Sequence, residues 1–404
     1  MRTLVLVVMV VAAALAGRPA RAALAAPFHQ AELIFPQENW HNHSPCIVEC
    51  PNGDLLACWY HGHGEKTDEV IIEGARKAKG KPAWSARFLM ADTPNYPDHN
   101  PCMIIDPQKR LWLFWPNLLA NRWETAITKY KISRNYQKPG PPVWAWQDLI
   151  YVTPTNFEEQ ITAGIERYAA EHPELVQRAG MDKQPFVDYA RGLKERAKDK
   201  LQQRLGWMTR VHPLLLPSGR LIVPLYSDNF DISIMALTDD WGKTWQASTV
   251  LMGVGNVQPS VVRKNDGTLV AMMRENGLLE RIRRSESKDE GMTWGPVESM
   301  DLPNPGSSVE VIRLQNGHWA LIYNDTTDGR HSLAVSISDD EGKAWKWTRH
   351  LEQLEPGKGS AAYPSLIQAR DGRLHALYRY EAGQGSSIKH AAFNEEWVTQ
   401  GDAG

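Results

Sequence analysis

The stretch Ser338–Trp345, with the sequence SDDEGKAW, decides the fold because its pattern Ser-x-Asp-x-Gly-x-x-Trp is repeated elsewhere in the chain. Equivalent copies run from Thr238 to Trp245 and from Ser287 to Trp294. Glycine accepts positive φ and a short polar side chain can bond its own backbone, so each copy predicts a tight turn. The tryptophan is expected to anchor that turn on apolar surface. Three copies in one chain indicate a repeat architecture.

A two-strand signature with a tight turn between the strands recurs along the rest of the chain. In the first copy, Pro45 to Gly53 leads into the apolar run Leu55–Trp59. The turns of the six copies end at Gly53, Lys109, Gly219, Gly267, Gly317 and Gly372. Asn-Gly and Asp-Gly between apolar runs are hairpin signals. Successive turns lie about 50 residues apart, as in four-stranded propeller blades, so the sequence predicts an all-β, six-bladed β-propeller.

The spacing is broken between the second and third copies, where residues 156–204 are rich in Glu, Lys, Arg and Ala at helical intervals. We expect a helical insertion between blades 2 and 3 of one propeller domain that spans residues 26–404. The segment Phe28 to Phe35 precedes the first blade. We expect it to pair beside the strand around residues 388–393, because joining the two chain ends in one blade removes a sheet edge.

Composition and charge narrow the choice of partner. The chain has 404 residues, 42% hydrophobic and 23% charged, which is ordinary for a globular protein. A net charge of -2 gives no reason to expect nucleic acid. Arg2 precedes an apolar run from Leu4 to Ala16, followed by small residues. We therefore predict a secretory signal in residues 1–25, a secreted or periplasmic protein, and no membrane span in the mature chain.

Nothing in the sequence predicts a metal or a cofactor. The chain has four cysteines, at spacings that match no zinc pattern, and it lacks a phosphate-binding loop. A cluster of histidines, His41, His43, His61 and His63, lies in the first blade. We interpret these side chains as neutral imidazoles at the propeller mouth rather than as metal ligands.

The residue before each repeat proline, or before Val309 in the fifth copy, is expected to face the central axis, where the innermost strand of a blade begins. These six residues are Ser44, Asn100, His212, Gln258, Ser308 and Tyr363. The side chains of His43, Arg210 and Glu310 lie next to these positions in the sequence. Because His, Tyr, Arg and a carboxylate converge there, the pattern indicates a binding or catalytic site at the mouth.

On the three Ser/Thr-x-Asp-x-Gly-x-x-Trp turns, called Asp-boxes, and the six repeats, the chain resembles the sialidase (neuraminidase) superfamily. It is most similar to the secreted bacterial sialidase-like proteins with BNR repeats. The resemblance implies an exo-acting glycoside hydrolase for sialic acid or a related acidic sugar. Sialidases hold the substrate carboxylate with three arginines and use a Glu-assisted tyrosine nucleophile and an Asp acid/base. A tyrosine nucleophile is a known exception among glycosidases.

The resemblance assigns roles to two residues outside the arginine triad. Tyr363, in the context Ala362-Tyr363-Pro364, matches the nucleophile. Asp68 lies in the loop after the second strand of blade 1, where the family has its acid/base.

For the triad, Arg330 resembles the third arginine and Arg281 the second. Arg274 and Arg283 remain alternatives to Arg281, because the register there is uncertain. Arginine binds a carboxylate through two parallel hydrogen bonds, which suits an acidic sugar.

Two positions depart from the family pattern. His43-Ser44-Pro45 stands where the first arginine is expected, and Gln258 stands where the assisting Glu is expected. Glutamine cannot accept a proton, so we considered Glu310 or a histidine as the replacement base. His43, Arg210, His212 and Asn100 are then the expected substrate-binding side chains of an altered anion-sugar site.

These departures leave two other hypotheses open. One is a lyase acting on uronic-acid polysaccharides, with His43, His212 and Tyr363 supplying acid and base and Arg210 neutralising the carboxylate. The other is a carbohydrate-binding propeller without catalysis. All three hypotheses place a carbohydrate at the mouth.

Overall fold

The computed structural model describes residues 26–176, 186–277, 279–383 and 385–402. The predicted signal, residues 1–25, lies outside the described residues. Across these ranges, none of the helices has the length and apolar character needed to cross a membrane.

The predicted six-bladed propeller is confirmed, since the strands form six sheets of four antiparallel strands each. The first strand, β1 (His29–Leu33), belongs to the last blade. Blade 1 contains β2 (His41–Glu49), β3 (Leu55–Gly62), β4 (Ile71–Lys77) and β5 (Phe88–Ala91). Blade 2 contains β6 (Cys102–Ile105), β7 (Leu111–Leu118), β8 (Ala126–Asn135) and β9 (Val143–Leu149). Blade 3 contains β10 (Leu214–Leu215), β11 (Leu221–Ser227), β12 (Ile232–Thr238) and β13 (Gln246–Ala247). Blade 4 contains β14 (Asn256–Arg263), β15 (Leu269–Glu275), β16 (Arg281–Ser287) and β17 (Glu298–Pro303). Blade 5 contains β18 (Glu310–Arg313), β19 (Trp319–Tyr323), β20 (Ser332–Ser338) and β21 (Trp347–Gln353). Blade 6 contains β22 (Gly359–Gln368), β23 (Leu374–Ala382) and β24 (Ser386–Phe393) together with β1.

The second strands of blades 2, 3 and 5 are covered on both faces. Strands β7, β11 and β19 are buried along their whole length. Such strands read as continuous apolar runs and not as alternating ones, which is why the runs stand out in the sequence.

The chain ends close the ring as predicted. Strand β1 pairs antiparallel with β24, placing His29 opposite Phe393 and Leu33 opposite Lys389. The last blade therefore has the order β1-β24-β23-β22, with the N-terminal strand outermost. This pairing fastens the first and last blades together and covers the edge that β24 would otherwise expose.

The Asp-boxes form the tight turns that their residues predict. In the third copy, Ser338 Oγ accepts from the backbone N–H of Gly342 at 2.9 Å, and Asp340 Oδ1 accepts from the N–H of Ala344 at 2.9 Å. The first two copies repeat both bonds. In the first copy, Trp245 packs edge-on against Phe114 of blade 2, so the turn also joins neighbouring blades.

The insertion between blades 2 and 3 is helical. It contains α1 (Phe157–Glu171), α2 (Pro173–Val176), α3 (Phe186–Lys198) and α4 (Lys200–Arg204), and a short helix α5 (Glu395–Thr399) follows the last strand. Phe157 packs edge-on against Phe230 with 4.9 Å between the ring centroids. Tyr189 donates to Asp231 in the loop between β11 and β12 at 2.8 Å. The insertion is therefore fixed to blade 3, next to a mouth loop.

Gly342 tests the packing of the Asp-box turn. It has φ +78°, and a Cβ there would lie 2.9 Å from the Trp319 ring, whereas Gly357 has φ +76° and open space around it. We expect Gly357→Ala to lower the free energy of unfolding by about 1–2 kcal/mol, the cost of a left-handed L-residue. Gly342→Ala should cost about 1–3 kcal/mol more through overpacking. Urea unfolding measures both values, and equal losses would contradict the packing argument.

Candidate active site

Four of the six residues expected to face the axis at the start of an inner strand have a left-handed backbone conformation. The φ angles are 55° at Ser44, 36° at Asn100, 56° at Gln258 and 54° at Tyr363. At Ser44, Gln258 and Tyr363 the pairing register of the strand shifts, which marks a β-bulge. A bulge re-aims side chains, and a non-glycine residue before proline resists this conformation. Such strain persists only where the surrounding structure imposes it, and it clusters at functional sites.

Tyr363 is the centre of a group of arginines. Arg274 donates from Nη1 to Tyr363 Oη at 2.7 Å. The guanidinium carbons of Arg330 and Arg210 lie 5.0 and 5.3 Å from the centroid of the tyrosine ring. Tyr363 itself is only 9% exposed. Three positive charges therefore surround one phenol in a largely dry setting.

These charges favour the phenolate form of Tyr363. Burial alone opposes ionisation, but the guanidinium groups of Arg274 and Arg330 outweigh it and lower the pKa of Tyr363 from its ordinary value. A phenol with a lowered pKa is a better nucleophile near neutral pH.

The other side of Tyr363 is formed by aromatic and imidazole rings of blade 1. His43 meets Tyr363 edge-on with 4.0 Å between centroids and stacks on Tyr60 at 5.3 Å. Tyr60 donates from its hydroxyl to Glu65 at 3.0 Å, and the same hydroxyl lies 3.2 Å from His41 Nε2. A carboxylate and two imidazoles thus lie beside the nucleophile candidate.

Several buried polar atoms at the mouth lack a hydrogen-bond partner among the described residues. They are His43 Nδ1, Ser44 Oγ, Gln258 Oε1, Arg274 Nε and Ser308 Oγ. Buried polar atoms are normally paired, since an unpaired one costs about 1–3 kcal/mol. These atoms at the mouth are therefore free to bond a polar ligand.

Deeper in the channel, His212 and Glu310 form a separate ion pair. His212 Nδ1 donates to Glu310 at 2.7 Å, and His212 Nε2 donates to the carbonyl of Ile47 at 2.7 Å. Both partners accept, so the imidazole carries both protons. Burial disfavours this charge, but Cys46 and Glu310 outweigh burial and raise the pKa of His212 well above its ordinary value. The second oxygen of Glu310 accepts from the N–H of Leu366 at 2.7 Å.

Arg210 links this pair to the mouth. It donates to the carbonyl of Pro364 at 2.9 Å and to that of Pro45 at 3.4 Å. These carbonyls directly follow Tyr363 and Ser44, so Arg210 supports the left-handed residues of blades 6 and 1. Its contact with the site is through the Tyr363 ring.

The structure separates the residues that the sequence predicts for the site. Tyr363, Arg330, His43 and Arg210 come together, and Gln258 is buried nearby with its oxygen unpaired. Asn100 donates to the hydroxyl of Tyr226 at 3.0 Å, on another wall of the mouth.

Four other residues predicted for the site have side chains that are bonded to other groups or exposed. Both oxygens of Glu310 are occupied as described, which removes it as a free base for Tyr363, and its partner His212 is equally engaged. Arg281 donates to its neighbouring carbonyl at Glu280, and Arg274 takes the position beside Tyr363. Asp68 is exposed and accepts from Asn121.

Tyr60, Glu65 and Asp228 are not among the site residues predicted from the sequence, and Arg274 is there only an alternative to Arg281. A signal for Arg274 was present. Arg274 lies opposite Val257 in blade 4, as Tyr60 lies opposite His43 in blade 1. This shared position on the second strand of a blade faces the mouth.

Asp228 is a second carboxyl near the arginines. It follows β11, in the loop whose Asp231 is held by Tyr189 of the helical insertion. Burial raises the pKa of Asp228 to about 6, with Arg274 opposing and the negative charges of Asp231 and Glu65 adding to the rise. A carboxyl with this pKa keeps part of its protons near neutral pH.

Comparisons with known proteins agree with the fold. A family model described as a BNR repeat-like domain matches residues 191–376. An anhydrosialidase of Macrobdella decora is 25% identical over 181 residues, which cover 40% of this chain and 23% of that protein. A sialidase of Vibrio cholerae is 25% identical over 186 residues, covering 37% and 23%. The matched part therefore spans about a quarter of the length of these relatives.

Solved structures match over nearly the whole described chain. The intramolecular trans-sialidase from Ruminococcus gnavus, in complex with oseltamivir carboxylate, has a TM-score of 0.65 at 13% identity, over 89% of this chain and 95% of that chain. A protein of unknown function from Dyadobacter fermentans has a TM-score of 0.66 at 16% identity, over 90% and 97%. At these identities the likeness shows a shared fold.

The His212–Glu310 pair predicts a pH-dependent stability. Because the pKa of His212 is raised in the folded state, the stability that the charged imidazole adds is fully present below about pH 6.5. That stability is lost as the pH rises through the folded-state pKa. We expect Glu310→Gln to lower the free energy of unfolding by about 3–5 kcal/mol near pH 6. The variant should reduce the decline above that pH without abolishing it, because Cys46 Sγ remains 3.2 Å from His212 Nε2. Urea unfolding between pH 6 and 9 measures both effects.

A surface pair supplies the control. Glu395 lies 2.5 Å from His318 Nδ1, with the imidazole 33% exposed. Glu395→Gln should cost about 0–1 kcal/mol and leave the pH dependence of the protein unchanged. Equal losses of unfolding free energy in the two variants would show that the His212–Glu310 pair stabilises the protein no more than the surface pair does.

Proposed function

We propose that this chain, a sialidase-like β-propeller with BNR repeats, is an exo-acting glycoside hydrolase for sialic acid or a related carboxylated sugar. One observation carries the proposal, the 2.7 Å hydrogen bond from Arg274 to Tyr363 beneath a mouth that holds Arg330 as well. The names of the relatives from Macrobdella decora and Vibrio cholerae support the same class of substrate.

Tyr363 is the proposed nucleophile. Its oxygen attacks the anomeric carbon while the bond to the leaving oxygen breaks and a carboxylic acid protonates that oxygen. Water then cleaves the glycosyl–tyrosine bond. The attacking form is the phenolate, whose proton has passed to water. Before that ionisation, the neutral phenol meets an anionic sugar with less repulsion than a carboxylate would.

The proposal explains how Tyr363 acts with Gln258 in place of the usual Glu. Burial opposes ionisation of Tyr363, but two guanidinium groups outweigh it and lower the pKa of the phenol, so its proton leaves more readily where no carboxylate assists. Gln258 is buried with its side-chain oxygen free among the described residues, and it can accept a hydrogen bond from a sugar hydroxyl.

Arg274 and Arg330 are also the proposed carboxylate binders. Arg274 has a buried Nε without a partner among the described residues. Arg330 donates one hydrogen bond, from Nη2 to the carbonyl of Gly306 at 2.8 Å. Each retains N–H groups for a carboxylate, which arginine binds through two parallel hydrogen bonds.

For the proton donor we propose Asp228 in preference to Asp68. Asp228 combines partial burial with a pKa of about 6, and its charge acts on both Arg274 and Tyr363. Asp68 is exposed, and it is bound to Asn121. A general acid must hold its proton at the working pH, and burial provides that at Asp228.

Replacement of the nucleophile should abolish turnover. We expect Tyr363→Phe to lower kcat/KM on an acidic glycoside by at least about 1,000-fold, since nucleophile removal in other enzymes costs this much or more. Tyr226→Phe is the matched control, because Tyr226 is equally buried at the mouth but bonds to Asn100 instead of an arginine. That variant should lose less than about tenfold.

The substrate panel decides between reaction classes. A fluorogenic sialoside and several uronic-acid polysaccharides are read by fluorescence and by ultraviolet absorbance. Release from the sialoside that depends on Tyr363 supports the proposal. An unsaturated, absorbing product would replace the hydrolase with a lyase, and silence on every acidic sugar in the panel would overturn both.

The proton donor has its own signature in the pH profile. If Asp228 donates the proton, kcat/KM falls as the pH rises above about 6, the pKa of that carboxyl. Asp228→Asn should remove this decline and lower the plateau by about 100-fold or more. Asp68→Asn should leave the profile unchanged. The reverse result, with the decline lost only in Asp68→Asn, would return the role to Asp68.

A further inference from the structure

We propose that His41, His43 and Glu65 form a binding site for a divalent first-row transition metal ion, with Zn²⁺ the best match, at the propeller mouth. From the sequence alone, both histidines are interpreted as neutral imidazoles that line the mouth. The binding itself is independent of the proposed function, whereas the role suggested for the ion rests on it.

The backbone places the two imidazoles side by side. His41 and His43 lie two residues apart on β2, so their side chains leave the same face of the sheet. Their rings stack with 5.1 Å between centroids at 25°. Glu65 follows β3, the strand that pairs with β2. A third donor from the adjacent loop therefore meets the histidine pair.

The ligand atoms are close enough for one ion. One atom from each of the three side chains lies within 4.8 Å of the others, and His41 Nε2 is 3.4 Å from Glu65 Oε1. Bonds of about 2.0–2.2 Å place tetrahedral zinc ligands about 3.4 Å apart, so small rotations of the side chains complete the site. Two histidines with one glutamate are an established set for zinc with one open position.

The surroundings prepare these donors. His43 Nδ1 is buried and has no partner among the described residues. Tyr60 donates to Glu65 at 3.0 Å and orients it from outside the ligand set. The nearby arginines oppose a cation, and the charge of Glu65 offsets part of that repulsion.

An ion here would stand where the resemblance to sialidases expects the first arginine. His43 contacts Tyr363 with 4.0 Å between centroids. A dication at this place restores the missing positive charge, and its open coordination position can accept a substrate carboxylate in place of water. The altered triad would then consist of Arg274, Arg330 and the ion.

Cobalt titration tests the site without measuring activity. Purified protein is dialysed against a chelator and titrated with Co²⁺, whose visible absorption reports low-coordinate nitrogen and oxygen ligands. We expect one equivalent to bind, with displacement by Zn²⁺. His41→Ala and Glu65→Gln should each weaken binding at least about tenfold, and circular dichroism confirms that both remain folded.

His63→Ala is the matched control. His63 lies 2.9 Å from Glu69 on the exposed surface of the same blade, so it is also a histidine beside a carboxylate. This variant should bind Co²⁺ as the unchanged protein does. Failure to take up one equivalent, or an unchanged Co²⁺ spectrum in both His41→Ala and Glu65→Gln, would overturn the metal site while leaving the glycosidase proposal to its own tests.

Discussion

The fold depends on hydrogen-bond partners for the buried polar side chains at the place where six inner strands converge on one axis. His212 and Glu310 form the ion pair there, and their remaining bonds reach Ile47 of blade 1 and Leu366 of blade 6. Arg210 adds two bonds, to the carbonyls of Pro45 and Pro364. Since a buried charge is tolerated only when paired and hydrogen-bonded, these contacts connect blades 1, 3, 5 and 6 as one unit.

The geometry of the mouth follows from that axial network. The carbonyls held by Arg210 directly follow Ser44 and Tyr363, which adopt left-handed backbones at β-bulges. The fold thus fixes strained residues at the site through contacts beneath it. The same guanidinium lies near the Tyr363 ring, so one side chain contributes both to the packing of the axis and to the electrostatics of the mouth.

Sequence periodicity was enough for the blades and the helical insertion, because both depend on local turn chemistry and apolar runs. The positions of the two chain ends were enough for the ring closure. The resemblance to sialidases assigned Tyr363 and Arg330 to one site, and the two side chains lie together in the structure. The sequence could not pair Glu310 with His212, since 98 residues separate them and only the closed ring brings them together. The sequence favoured Arg281 as the second arginine and kept Arg274 and Arg283 as alternatives, because strand register decides which of them faces the mouth and one blade contains all three.

The central claim is that Tyr363 forms a covalent bond to an acidic sugar. The most direct test treats the protein with a fluorinated acidic glycosyl fluoride, which slows breakdown of a glycosyl–enzyme intermediate, followed by peptide mass spectrometry. The account predicts a stoichiometric mass increase of one fluorosugar on the peptide that contains Tyr363. A protein that releases fluoride without any such adduct, or that carries the adduct on another residue, would contradict it.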